Sequence, residues 1–236
     1  FSGRLHWTNS LPLASAVFWS SLMPIILCFT AGLARKTEGL TRRVRMATMF
    51  GLGGLAVAYT FTPIVRPVVA PIDLSDSSQW SDGVCLQSHS SSCAPAAAVT
   101  LLRVSGVVAS ERDLALACLT SQHGTEPVGL FRGLNAFVAG PHLSARVASV
   151  DPDRWTKQRQ LPNISLIRFR SSDTSLSRLM GARGEGHAVV VFGRDSEGDW
   201  IIGDPAFGRT KWSDEQFQSR FTGDAIFLAQ TKTRFE

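Results

Sequence analysis

The stretch Gln87–Pro95, QSHSSSCAP, decides how this chain is read. A glutamine stands six residues before Cys93, and Cys93 opens an apolar segment, APAAAVTLLRVSG (94–106). Proline suits the first turn of a helix, Val99, Leu101 and Leu102 supply an apolar face, and Gly106 is a C-terminal cap. The cysteine is therefore expected at a helix N-terminus, where unpaired amides and the helix dipole favour a thiolate. A buried structural thiol is the alternative, and Cys118, inside the apolar run LALACL, fits it better.

Downstream, Ser110 caps a second helix over about Glu111–Leu119, with Asp113 reaching back, and a third is expected over Glu126–Val138, ended by Gly140. The second half changes period. Leu143–Val150 and Ile164–Arg170 read as strands, with Asp151–Gln160 a short helix or turn between them. His187–Gly193 (HAVVVFG) and Trp200–Asp204 (WIIGD) flank the polar turn RDSEGD as a hairpin. Ser213–Arg220 reads as a short capped helix and Asp224–Ala229 as a closing strand. Helices first and antiparallel strands later make an α+β domain.

A nucleophilic cysteine needs a base, and the base an orienting partner. His89 lies in the serine-rich turn, where solvation is expected, and His123 and His142 sit beside glycine or proline. His187 differs: it opens an apolar strand. With the hairpin centred between Ser196 and Glu197, Asp204 faces Val189, on the face that carries His187, within reach of an imidazole–carboxylate contact. Gln87 completes the set as a side-chain donor for a developing oxyanion beside the Cys93 N–H. Alone, a histidine at a strand end and a turn aspartate are an ordinary edge; together with Cys93 they point to a site.

Upstream the chain changes character. Leu5–Ala34 and Met46–Val65 hold no Asp, Glu, Lys or Arg. Two membrane-spanning helices are expected, at about 11–33 and 46–70, because a bilayer core needs about 20 apolar residues. The loop between them carries Arg35, Lys36, Arg42, Arg43 and Arg45 against Glu38, which places it in the cytoplasm and the downstream domain outside it. The expected organisation is a membrane anchor over 1–72, a Ser/Asp-rich linker over 73–82, and the catalytic domain over 83–236.

Of the formal net charge of +5, all but one unit lies before Trp80, so the domain itself has no basic stripe for nucleic acid. Cys28, Cys85, Cys93 and Cys118 form no CxxC pair and the histidines no HxxxH, so neither metal nor cofactor is expected.

The series Gln87-x5-Cys93, GTEPVGLFRGL (124–134), GHAVVVFG (186–193) and IIGDPAFGRTKWSDEQFQSRFTG (201–223) resembles the double-glycine-leader, or bacteriocin-processing, cysteine peptidases of the papain-like superfamily. The resemblance covers about Gly83–Ala229 and leaves out the apolar front end. It implies a papain-like α+β fold, with a helical half meeting an antiparallel sheet at a cleft. By position it makes Cys93 the nucleophile, His187 the base and later acid, Asp204 the orienter and Gln87 the oxyanion donor. The usual Asp-Cys-Gly is here Ser92-Cys93-Ala94. No Walker-type GxxxxGK[ST] sequence occurs within these residues.

The expected activity is a membrane-anchored cysteine peptidase working through a thioester. An amidase or transpeptidase with the same site, and a non-catalytic peptide-binding membrane domain, are the alternatives. Expected partners are a peptide or protein substrate, the lipid bilayer, and a membrane transporter or other membrane protein. Outside the cytoplasm, Cys85 and Cys118 are equally open to a disulfide or to remaining free thiols.

Overall fold

The computed structural model describes residues 28–30, 32, 41–74, 77–138, 143–169 and 186–230. A long helix, α1 (Arg42–Val69), precedes a two-stranded ribbon, β1 (Gln79–Ser81) and β2 (Val84–Leu86). Three helices follow: α2 (Cys93–Val104), α3 (Glu111–Ala117) and α4 (Pro127–Phe137). The remainder is β3 (Leu143–Val147), a short 3-10 helix (Pro152–Arg154), β4 (Asn163–Arg168), β5 (Gly186–Arg194), β6 (Trp200–Asp204), β7 (Gly208–Trp212), α5 (Asp214–Arg220) and β8 (Phe221–Gln230). The six strands β3 to β8 form one sheet in the order β3-β8-β4-β5-β6-β7, and every neighbouring pair is antiparallel.

The helix ends obey local chemistry. Asp113 N–H donates to Ser110 Oγ at 3.0 Å, and Ser213 and Gln216 exchange a reciprocal capping box. At the end of α2, Gly106 takes φ +81°, and the Gly106 and Val107 N–H groups return to Arg103 and Leu102 carbonyls, a Schellman closure that glycine accommodates without strain.

Why HAVVVFG is apolar throughout follows from its place. Strand β5 lies between β4 and β6, and its side chains alternate between two cores. Ala188 and Val190 face the helical layer, packing with Leu101 and Leu102 of α2, Leu114 of α3 and Leu130 of α4. Val189 and Val191 face the opposite side, where Trp155, Trp200, Trp212 and Phe217 form an aromatic cluster. Both faces of β5 are thus buried over Ala188–Val191.

The expected membrane hairpin over 11–33 and 46–70 is not found. Apart from Cys28–Thr30 and Gly32, the first run lies outside the described residues, and among those described no helix is long and apolar enough to cross a membrane. The second run does become helical, and α1, at 28 residues, is not short. Its apolar side chains are diluted by Thr48, Gly51, Gly53, Gly54, Thr62 and Arg66. Phe50, Leu55, Val57, Phe61 and Val65 are nonetheless exposed along it.

Candidate active site

Cys93 is the first residue of α2, half-buried, at the end of the turn that starts at Gln87. That turn is tied by its own serines. Ser92 is fully buried; its Oγ accepts from His89 N–H at 3.1 Å and donates to His89 C=O at 2.8 Å. His89 is not simply solvated, as its sequence setting suggests, because its Nδ1 accepts from Ser91 N–H at 3.0 Å. The helix beneath is anchored to the ribbon through Thr100, whose Oγ1 accepts from Cys85 N–H at 2.9 Å.

His187 comes to the same place from the sheet. Strand pairing sets Val190 opposite Gly203, and one step further Asp204 comes level with Val189, as the hairpin arithmetic requires. A register shift between Val191 and Gly193 alters only the far end of the hairpin. His187 Nε2 lies 2.8 Å from Asp204 Oδ1, with only 13% of the histidine and 3% of the aspartate side chain exposed. Asp204 Oδ1 also accepts from Ala206 N–H at 2.8 Å, which fixes the carboxylate in the turn after β6.

Burial works against a charged imidazole, yet hydrogen bonds to Asp204 and to Cys93 outweigh it and lift His187 to about 9. The Nε2 edge is taken by Asp204, which leaves Nδ1 as the edge for Cys93. The Phe169 ring lies 5.8 Å from the imidazole, centre to centre. Three groups from three elements, α2, β5 and β6, therefore meet: sulfur, imidazole and carboxylate.

Cys93 and His187 border a cleft of about 640 Å³ lined by the Cys93 turn, the 122–127 loop, and the ends of β4, β5 and β8, and Asp204 is not among its lining residues. His123 lies in this lining and is exposed; His142 falls outside the described residues. Gln87 is not among the lining residues. Its Nε2 donates to His89 C=O at 3.1 Å and Ser90 C=O at 3.4 Å, and its Oε1 is buried without a protein donor.

Sequence reasoning missed two features here. Gln87 N–H donates to Pro205 C=O at 2.8 Å, so the two halves of the site are joined through backbone. Glu111, only 1% exposed, lies against Ser88. Its capped-helix position accounts for the residue type but not for its burial.

Cys85 and Cys118 are separate free thiols, both buried. Burial first of all pushes them up to about 11 and about 12. Among the described residues, the carboxylates of Asp195, Glu197 and Asp199 form the one group close enough to suggest a cation site. They lie in the turn after β5, at the opposite end of that strand from His187, and Lys211 Nζ is 2.7 Å from Asp195.

A helical layer packed on an antiparallel sheet, with cysteine, histidine and aspartate meeting where the two join, is the papain-like α+β arrangement of the C39 peptidases. The family model described as Peptidase C39 family matches residues 82–233, and the chain belongs to that family. The chain is 29% identical over 145 residues to an uncharacterized protein of Methanothermobacter thermautotrophicus, covering 61% of this chain and 87% of that one. Among solved structures, it resembles a double glycine motif protease from an AMS/PCAT transporter, solved with the leader peptide. That match has TM-score 0.50 at 19% identity and covers 67% of this chain and 97% of that one. The peptidase domain of Streptococcus ComA matches at TM-score 0.48 and 28% identity, over 61% and 95% of the two chains.

Proposed function

We propose that this chain is a cysteine peptidase that cleaves peptide bonds through an acyl-enzyme on Cys93. The observation that carries this reading is the 2.8 Å His187–Asp204 pair, with Cys93 on the imidazole's other edge at a helix N-terminus in an open cleft. In the proposed cycle the Cys93 thiol gives its proton to His187 and the sulfur attacks the scissile carbonyl carbon. The oxyanion is held by the Cys93 N–H and the Gln87 amide, which gives up its longer contact, to Ser90. His187 protonates the departing amine, releasing the first product and leaving a thioester. Water then attacks, His187 takes its proton, and the carboxylate product leaves as the thiol is restored. Asp204 holds the imidazole in the orientation both steps need.

The first substrates to try are peptides with a Gly-Gly pair, since a solved relative is described as a double glycine motif protease. Incubation of the full chain with such peptides should give two fragments by mass spectrometry, and Cys93→Ala and His187→Ala should give none. Identical fragments from Cys93→Ala would refute the assignment. Added amine nucleophiles should not change the products; an amide formed with the amine would replace hydrolysis by transpeptidation.

We further propose a membrane location with the peptidase domain on the extracytoplasmic side. The support is the apolar run Leu11–Leu33, the exposed apolar side chains of α1, and the basic residues Arg35 to Arg45. Carbonate washing of membranes and protease shaving of whole cells test it; a fully soluble chain, or one shielded from external protease, would overturn it.

A further inference from the structure

Glu111 is a buried carboxylate for which the proposed chemistry has no use. It begins α3, directly after the Ser110 cap, and is 1% exposed. Its Oε1 and Oε2 lie 3.0 and 3.3 Å from Ser88 N, so the Ser88 N–H donates across both oxygens. Burying a charge is costly unless hydrogen bonds meet it, and a bond from N–H to a carboxylate is about twice as strong as a neutral one. After burial itself, the Glu111 charge is the next influence raising the Cys85 thiol, two residues before Gln87.

The residue so gripped adjoins Gln87. On one side Gln87 N–H is fixed on Pro205 C=O at 2.8 Å, directly after Asp204. On the other, Ser88 N–H is fixed on Glu111. The Gln87–Ser88 peptide is therefore suspended between the corner that carries the histidine's orienter and a carboxylate 23 residues on in sequence. The Gln87 side chain bonds only to carbonyls of its own turn, so its direction depends on where this backbone is held.

We propose that Glu111 is a positioning residue that sets the Gln87 amide for the oxyanion. This rests on the peptidase reading of the Cys93 site. Glu111 touches neither substrate nor reacting atoms, and it acts through the Ser88 amide alone.

The test uses the full chain, a Gly-Gly peptide carrying an aminomethylcoumarin leaving group, and iodoacetamide. Alkylation of Cys93 creates no oxyanion, whereas peptide cleavage does. Losing an oxyanion donor outright costs about 100- to 1,000-fold in kcat. Glu111→Ala, which only misplaces the donor, should lower kcat by about tenfold, a minor share of that cost, with KM and the alkylation rate unchanged. Glu111→Gln keeps an acceptor oxygen and should lose less; if Glu111→Ala fails to fold, Glu111→Gln carries the test. In a Gln87→Ala background the Glu111 effect should vanish. A loss of equal size in that background, a parallel fall in alkylation, or no loss at all would overturn the proposal. The Ser88 amide proton gives a readout that needs no turnover. It should lie downfield in the wild type and move upfield with faster exchange in Glu111→Gln; an unchanged resonance refutes the positioning. A folded wild type that cleaves no peptide refutes the peptidase reading and the oxyanion role with it, whereas a Ser88 resonance unchanged in an enzyme that does cleave refutes the Glu111 proposal alone.

Discussion

Replacing Asp204 with Asn should bring the His187 titration well down from about 9, leaving only the Cys93 contacts to oppose burial. Burial alone disfavours the imidazolium, and the Asp204 hydrogen bond is the largest influence opposing it. Asparagine keeps an oxygen for the Ala206 N–H, which Asp204 Oδ1 accepts at 2.8 Å, so the turn should survive while the charge goes. The rise from 6.5 to about 9 corresponds to about 3 kcal/mol of added preference for the protonated ring in the folded state. Its sign follows from where the proton sits. Below about pH 6.5 the folded and unfolded chains both hold it and the stabilisation is complete; as pH rises towards about 9 the unfolded chain has lost the proton, and the stabilisation drains away. The wild type should therefore exceed Asp204→Asn in stability by up to about 3 kcal/mol at pH 6 and by little of that at pH 10. A proton–carbon NMR titration of the His187 ring reads the midpoint, and urea unfolding at the two pH values reads the stability. A wild-type midpoint near 6.5, or a variant midpoint that stays above 8, would sink this account of the pair.

Three further outcomes are expected. In a Cys28→Ser background, iodoacetamide should label Cys93 within minutes while Cys85 and Cys118, buried and raised to about 11 and about 12, stay unmodified; a non-reducing peptide map should show no bridge between them. Gly133→Ala should destabilise by about 3 kcal/mol in thermal melts, because its methyl would land on Cys118 Sγ and within 3.0 Å of the Cys118 backbone nitrogen. Trp155→Ala should cost about 3–5 kcal/mol, since Trp155 is fully buried edge-on to Trp200, Phe217 and Phe221, and Nε1 donates to Ser149 C=O at 2.7 Å. Proteins that melt unchanged would refute either packing argument.

Where one element dictates a feature, the sequence reveals it. The caps at Ser110 and Ser213 depend on residues three apart, and both bonds form. The Asp204 position depends on one hairpin, and counting from its turn reaches it because the register shift between Val191 and Gly193 brings the strands to the Val190–Gly203 pairing that the count requires. Strand β7 was not legible: GRTKW is a sheet edge, where Arg209 and Lys211 are exposed and no alternation of apolar residues marks the strand. The 46–70 run shows the opposite failure. Its composition gives the helix, but whether such a helix crosses a bilayer depends on its apolar density, which its glycines and threonines lower.

Gln87 shows why a site is harder to read than its members. From sequence it enters only as a side chain six residues before a cysteine. In the fold its backbone matters as much, because its N–H on Pro205 C=O joins the turn that carries Cys93 to the corner that follows Asp204. Neither that bond nor the Glu111 grip on Ser88 has a local signature, for each links elements that meet only after the sheet has packed on α2 and α3. The chemistry of the site is thus written in residue types, while its precision is held by bonds to the main chain, one from the Pro205 carbonyl and one from the Glu111 carboxylate. Substitutions at Gln87 and at Glu111 should then separate, the first removing a donor and the second removing only its aim.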